Sequence, residues 1–189
     1  MSSEKRAYRL QERARRQEET RRRIAAATAE LHQEVGPART TIVEVARRAG
    51  VQRPTVYSNF PRERDLFAAC QGHFLAEHPP PDPSGALSLE DPVERVRAAL
   101  LALYAWYRET EPMTGNTQRD RRLLPDLDAL LAETADRQLD QLAAALADGA
   151  ARPLVRLALD FATWKRLTSD ERSDDEAARL MARAAASVA

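Results

Sequence analysis

Residues 40–61 read Thr40-Thr41-Ile42-Val43-Glu44-Val45-Ala46-Arg47-Arg48-Ala49-Gly50-Val51-Gln52-Arg53-Pro54-Thr55-Val56-Tyr57-Ser58-Asn59-Phe60-Pro61, and they decide the fold of the chain's first third. Thr41 and Glu44 have capping-box spacing: the Thr hydroxyl accepts the amide three residues on, while the Glu side chain reaches back to the Thr amide. A helix is expected to start there and to bury Val43, Val45, Ala46 and Ala49. Gly50 then supplies a left-handed backbone turn that glycine adopts at least cost. A second helix follows Gln52, with Pro54 in its first turn, where a missing amide hydrogen costs nothing. Val56 and Phe60, four residues apart, anchor it inward. Helix, tight glycine turn and short helix together make a helix-turn-helix.

Upstream, a helix is expected from about Arg16 to Glu34, with Ile24, Ala27, Leu31 and Val35 on one stripe and Gly36-Pro37 as its stop. Residues 1–15 form a charged N-terminal arm without an apolar stripe. It is either a solvated arm or a basic helical extension touching phosphate or the minor groove. The helix-turn-helix domain takes residues 16–60, and a connecting helix opened by Pro61 takes 61–78, with Leu66, Phe67, Cys70 and Phe74 as its stripe. A Pro-rich run at 79–85 leads into the body, 79–189. There Val93, Val96, Leu100, Leu103 and Tyr107 mark a long amphipathic helix that ends at Glu111-Pro112. A short piece from Met113 to Arg122 precedes a helix marked by Leu127 to Leu146. A further helix runs from Pro153 to about Leu167, and another from Asp174 to Val188. No stretch alternates with period two, so the class is all-α.

The chain of 189 residues balances 29 Lys and Arg against 29 Asp and Glu, but the balance is uneven along it. Residues 1–70 hold 15 basic and 9 acidic side chains, and the remainder holds 14 and 20. A basic front on an acidic remainder fits a polyanion-binding module joined to a regulatory or oligomerising body. Cys70 is the only cysteine, so no intramolecular disulfide forms. No apolar run approaches the roughly 20 residues of a membrane span, and the charged N-terminus lacks a signal-peptide core; a cytoplasmic protein is expected. No Gly-rich phosphate loop, GxSxG, HExxH or distinctive carboxylate pair is present, which argues against an enzyme, and neither cofactor nor metal is expected.

The run 40–61, followed by Asp65-Leu66-Phe67, resembles the DNA-binding domain of the TetR family of bacterial transcriptional regulators, over about residues 17–75. The Thr-Val-Tyr-x-x-Phe element after the turn separates it from an ordinary helix-turn-helix. The resemblance implies a TetR-like all-α architecture: an N-terminal three-helix DNA-binding domain and a C-terminal helical ligand-binding and dimerisation domain. It implies a homodimeric regulator, a repressor in the commonest case, that binds a pseudo-palindromic operator in double-stranded DNA and is released by a small-molecule effector.

Groove chemistry suggests roles on the second helix. Arg53 suits guanine, Gln52 or Asn59 suits adenine, and Thr55 and Ser58 complete a polar face behind Pro54. The family carries a backbone-contacting tyrosine at the position of Tyr57, and Thr41 at its helix N-terminus is placed to meet phosphate. The chain departs from the family at Gln52, usually Ser, and at Glu63, usually a phosphate-contacting Lys; Arg62 and Arg64 flank Glu63 as substitutes. The merely solvated face of a three-helix bundle is the alternative.

The resemblance places an effector between the connecting helix, with Cys70 and Phe74, and the body helices, with Tyr104, Tyr107, Met113, Asn116, Arg119 and Trp164. In a helical bundle such residues are equally read as plain core. An apolar or aromatic effector with one hydrogen-bonding end is expected. The dimer is expected to form through Leu154, Leu157, Phe161, Trp164, Leu180, Met181 and Ala184 on the last two helices. The connecting helix is then the lever between cavity and reading head. A regulator switched by Cys70 redox chemistry, or by metal at Cys70, His73 and His78, is the alternative; His32, near a helix C-terminus, is read as a favourable cation without a ligand role.

Overall fold

The computed structural model describes residues 2–169 and 171–188, and all regular structure among them is helical. Two compact units result, residues 1–78 with 116–130 and residues 79–115 with 131–189. Residues 116–130 thus group with the first unit, whereas the sequence put them in the body.

In the first unit, α1 (Ser2–Glu34), α2 (Ile42–Ala49), α3 (Arg53–Asn59) and α4 (Glu63–Glu77) enclose one core. Ile24, Ala27 and Leu31 of α1 meet Val45, Ala46 and Ala49 of α2, Val56 of α3, Phe60 and Leu66. The helix that was expected from about Arg16 is continuous from Ser2. Val43, expected in the core, is 52% exposed, because Val45, Ala46 and Ala49 already occupy the inward arc of α2.

The C-terminal end of α1 is buried, and its unpaired carbonyls need donors. α7 (Glu111–Asp120) supplies them from its second half. Asn116 Nδ2 donates to His32 O and Gln33 O, both at 2.9 Å, and Arg119 Nη2 donates to Val35 O at 3.3 Å. Asp120, 3% exposed, accepts from the Ala38 amide at 3.0 Å and pairs with Arg119 at 2.7 Å. Burial pushes the Asp120 carboxyl up, but Arg119 and the Ala38 amide outweigh it and hold the group below the usual carboxylate range. Gly36 makes this closure possible: its φ is +92°, and a Cβ there would collide with Arg119 and Asp120.

The second unit contains α5 (Ser84–Leu87), α6 (Pro92–Glu109), α9 (Arg137–Leu146), α10 (Ala151–Ala158), α11 (Phe161–Thr168) and α12 (Asp174–Ala186). Asp91 caps α6 by accepting from the Val93 and Glu94 amides, and Ser173 with Glu176 forms a complete capping box on α12. Ala177, Ala178, Ala182 and Ala185 let α12 lie close against α6. The helix expected from Leu127 to Leu146 is α8 (Pro125–Leu131), a π turn at Ala132–Asp136, and α9.

The single helix expected from Pro153 to about Leu167 is broken into α10 and α11. The last turn of α10 tightens, with Asp160 N donating to Leu157 O at 3.2 Å, and Asp160 leaves helical geometry at ψ 136°. Arg156 holds Asp160 and Asp140, pinning the break. The break frees two buried carbonyls, and two tyrosines answer them: Tyr104 OH donates to Ala158 O at 2.8 Å and Tyr107 OH to Leu159 O at 2.7 Å.

Candidate nucleic-acid interface and effector cavity

Thr41 caps α2 by accepting from the Glu44 amide at 3.2 Å, but the box is half formed, because Glu44's carboxylate engages Arg47 instead of the Thr41 amide. Gly50 sits at φ 64°, ψ 39°, and Val51 N returns to Ala46 O at 3.0 Å, the i to i−5 bond of a Schellman turn. Nothing crowds a Cβ there, so backbone conformation alone selects glycine. Pro54 lies in the first turn of α3 as expected.

The side chains of α3 divide sharply. Val56 and Phe60 are buried, while Gln52, Arg53, Pro54, Tyr57 and Ser58 are exposed. Gln52 makes no side-chain cap bond, and no acidic group among the described residues pairs with Arg53. Both are free to reach outward. Asn59 is not so placed. It is half-buried, its Nδ2 donates to Thr55 O at 2.8 Å, and its Oδ1 is buried without a partner, so its amide is turned to its own helix and not outward. Ser58 Oγ likewise bonds back to Thr55 O at 3.0 Å.

Arg62 meets Asp65 through two bonds of 2.9 and 2.7 Å, so its guanidinium is engaged within its own helix turn. Arg64 is half-buried. One residue was missed by the sequence reading. Arg21 donates to Asn59 O and lays its guanidinium 4.2 Å over the Phe60 ring, capping the C-terminal end of α3. Its signal was weak, being one arginine within a run of three.

Cys70 is buried, its Sγ 3.4 Å from His32 Nδ1. Burial pushes the thiol up to about 12, which removes the thiolate that redox chemistry needs. Burial also pulls His32 down to about 4, against the raising influence of Asp120, so His32 is neutral and not the helix-end cation that was expected. His73 lies 3.5 Å from Glu77, and the His78 ring packs on Phe74 at 4.8 Å. Among the described residues no group of three His, Cys, Asp or Glu side chains is set to hold a metal.

Neutral burial of His32 links stability to pH. Its pKa is lower in the folded state, so the unfolded chain binds the extra proton between pH 6.5 and about 4. Stability is complete above the unfolded value and falls by about 3 kcal/mol as pH drops through that window. Urea titrations at pH 7 and pH 4.5 are expected to differ by most of this amount, and the His32→Asn variant to lose that part of the difference. An unchanged difference in the variant contradicts the assignment.

The residues expected to line an effector site are divided between the two units. Asn116 and Arg119 cap α1, Cys70 and Phe74 are core of the first unit, and Met113 is buried in the second. Tyr104, Tyr107 and Trp164 form a filled core in the second unit, where Tyr107 packs on Phe161 at 5.3 Å and on Trp164 at 5.8 Å. An open cavity of about 400 Å³ lies elsewhere in that unit, where α6 begins, α9 ends, α10 begins and α12 ends. Val93, Val96, Leu146, Val155, Ala182 and Ala185 line it with mostly apolar surface. Periodicity could not reveal it, because it lies where helix ends diverge and not along a stripe.

The expected dimer residues also divide. Trp164 is 1% exposed and belongs to the core of the second unit, held by its indole N–H donating to Asp174 at 2.9 Å. Phe161 is half-buried against Tyr107. Leu157 and Leu180 are 50% and 46% exposed, beside half-buried Leu154, Met181 and Ala184.

The family model for bacterial regulatory proteins of the tetR family matches residues 24–70. An uncharacterized HTH-type transcriptional regulator of Mycobacterium tuberculosis is 42% identical over 55 residues, which span 29% of this chain and 29% of that protein. A putative TetR-family transcriptional regulator from Mesorhizobium loti superposes with a TM-score of 0.65 at 17% identity, over 92% of this chain and 98% of that one. RolR in complex with resorcinol gives a TM-score of 0.51 at 22% identity, over 93% of both chains. Residues 24–70 thus match the family model for tetR-family bacterial regulatory proteins, and the chain as a whole has an all-helical fold similar to that of solved TetR-family regulators.

Proposed function

We propose that this chain is a cytoplasmic, homodimeric transcriptional repressor that reads a pseudo-palindromic operator through α3 and releases it when a small molecule enters the body. The observation that carries this reading is the outward tip of α3, where Gln52 and Arg53 are exposed and unspent above the buried anchors Val56 and Phe60. A short helix anchored from behind, with a glycine turn before it, presents such side chains to a major groove. Tyr57, 49% exposed, and Thr41 flank it as phosphate-binding groups.

The exposed leucines of α10 and α12 support a dimer, and an operator read in successive major grooves requires its two copies of α3 about 34 Å apart. The apolar cavity supports an apolar or aromatic effector, and the fold shared with RolR, a structure that holds resorcinol, supports the same class. The effector acts by binding the conformer with misplaced reading heads more tightly than the DNA-bound one.

Selection from a random duplex pool, followed by titration of single-base variants, tests the reading. An inverted repeat with half-sites one helical turn apart is expected. Arg53→Ala is expected to relax preference at one base pair by about 1–3 kcal/mol, and Tyr57→Phe to weaken every sequence alike. Equal loss for Arg53→Ala at every base pair contradicts its assignment, and a pool without enrichment contradicts the regulator.

A further inference from the structure

α1 runs well beyond the domain it helps to build. Among its described side chains the first buried apolar one is Ile24, and residues 8–19 are exposed apart from half-buried Glu12. The stripe that is apolar at Ile24, Ala27 and Leu31 continues backwards through Thr20 at steps of three and four residues. It becomes Arg16, Arg13, Arg9 and Arg6. At 100° per residue these four arginines occupy an arc of about 80°. Apolar side chains thus give way to guanidinium groups where the helix leaves its own core.

The place of exit matters. Arg21, bonded to Asn59 O and stacked on Phe60, fixes α1 against the C-terminal end of α3. The extension therefore leaves the domain beside the helix that carries Gln52 and Arg53. All four arginines are exposed, and among the described residues Arg6, Arg9 and Arg13 have no acid within ion-pair distance; Arg16 lies 3.5 Å from Glu12. Arg15 and Arg22 lie on another face and are matched by Glu12 and Glu18 at 3.8 and 3.4 Å. From Arg6 to Arg16 the helix rises about 15 Å, the axial length of four to five steps of a duplex strand. A lipid surface fits less well: the exposed Tyr8 and Leu10 stand about 160° apart around the helix and form no apolar face.

We propose that the Arg6, Arg9, Arg13 and Arg16 face of α1 is a second binding site for duplex phosphates, gripping DNA beside the bases read by α3. The inference rests on α3 being the reading helix. The site carries charge but no base-reading geometry, so it adds affinity and salt dependence and leaves sequence preference alone.

The test compares the whole chain with its Arg9→Gln/Arg13→Gln variant and with its Arg15→Gln/Arg22→Gln variant, which removes equal charge from the other face. Each is titrated by fluorescence anisotropy from 50 to 200 mM salt. Two duplexes are used, one of arbitrary sequence and one selected by the parent protein. The first variant is expected to bind with a shallower dependence of log K on log salt, by about 0.9 for each phosphate no longer neutralised, with unchanged ranking of single-base variants and unchanged helical circular dichroism. The second is expected to follow the parent. Equal slopes for the first variant and the parent, or an equal loss in both variants, overturn the proposal. A slope change on the arbitrary duplex, in a protein that selects no operator, supports the phosphate site while contradicting the reading by α3. Failure to bind either duplex overturns both.

Discussion

Trp164→Ala is expected to lower the stability of the second unit by about 3–5 kcal/mol, the range for deleting a large aromatic from a packed core. Trp164 is 1% exposed, its ring lies 5.3 Å from Phe161 and 5.8 Å from Tyr107, and the Arg108 guanidinium stands 5.5 Å above it. Truncation opens a void beside α6 and removes the donor to Asp174. Arg108 still holds that carboxylate through bonds of 2.8 and 2.6 Å, so no acceptor is stranded and the cost is mainly that of the cavity. Urea unfolding followed by circular dichroism reads the loss. A cost below about 1 kcal/mol would contradict the placing of the indole as a packing element of this core.

Leu157→Asp combined with Leu180→Asp is expected to turn the proposed dimer into a monomer and to weaken operator binding at least about a hundredfold, because a lone reading head loses the second half-site. Both side chains are about half exposed, so the subunit fold should survive the change. Sedimentation velocity gives the mass, and anisotropy with the selected duplex gives the affinity. A dimer that persists places the interface elsewhere. Phe161→Asp is a poorer test: with Phe161 packed edge-on to Tyr107, the charge would damage the core before reaching any partner.

The helix-turn-helix was legible because its signals are local. A capping threonine, a left-handed glycine and a proline in the first turn each specify backbone geometry within a few residues, and the structure has all three. Burial of Val56 and Phe60 followed from their spacing of four. The break between α10 and α11 was not legible, since apolar residues at helical spacing continue across it. The partners that make it tolerable, Tyr104 and Tyr107, lie more than fifty residues away. A still greater separation, more than eighty residues, hid the caps on α1: Asn116 and Arg119 read as polar candidates for a ligand, yet they answer the carbonyls of His32, Gln33 and Val35. Helical periodicity shows which face is buried, but not whether a polar group on it will bond a ligand or a distant backbone.

The pocket illustrates the same limit. Aromatic residues drew attention to Tyr104, Tyr107 and Trp164, but large side chains that pack well fill space. The open volume lies where small ones, Ala182 and Ala185, face the ends of α6 and α9.

Operator recognition by α3 is tested most directly by anisotropy titration of the whole chain against the DNA upstream of its own gene, with a scrambled duplex as control, at two salt concentrations. Affinity at least about a thousandfold above the control, with a steep loss between 50 and 200 mM salt, is the result expected of an operator-binding regulator. Equal affinity for both duplexes would contradict specific recognition of that DNA by α3.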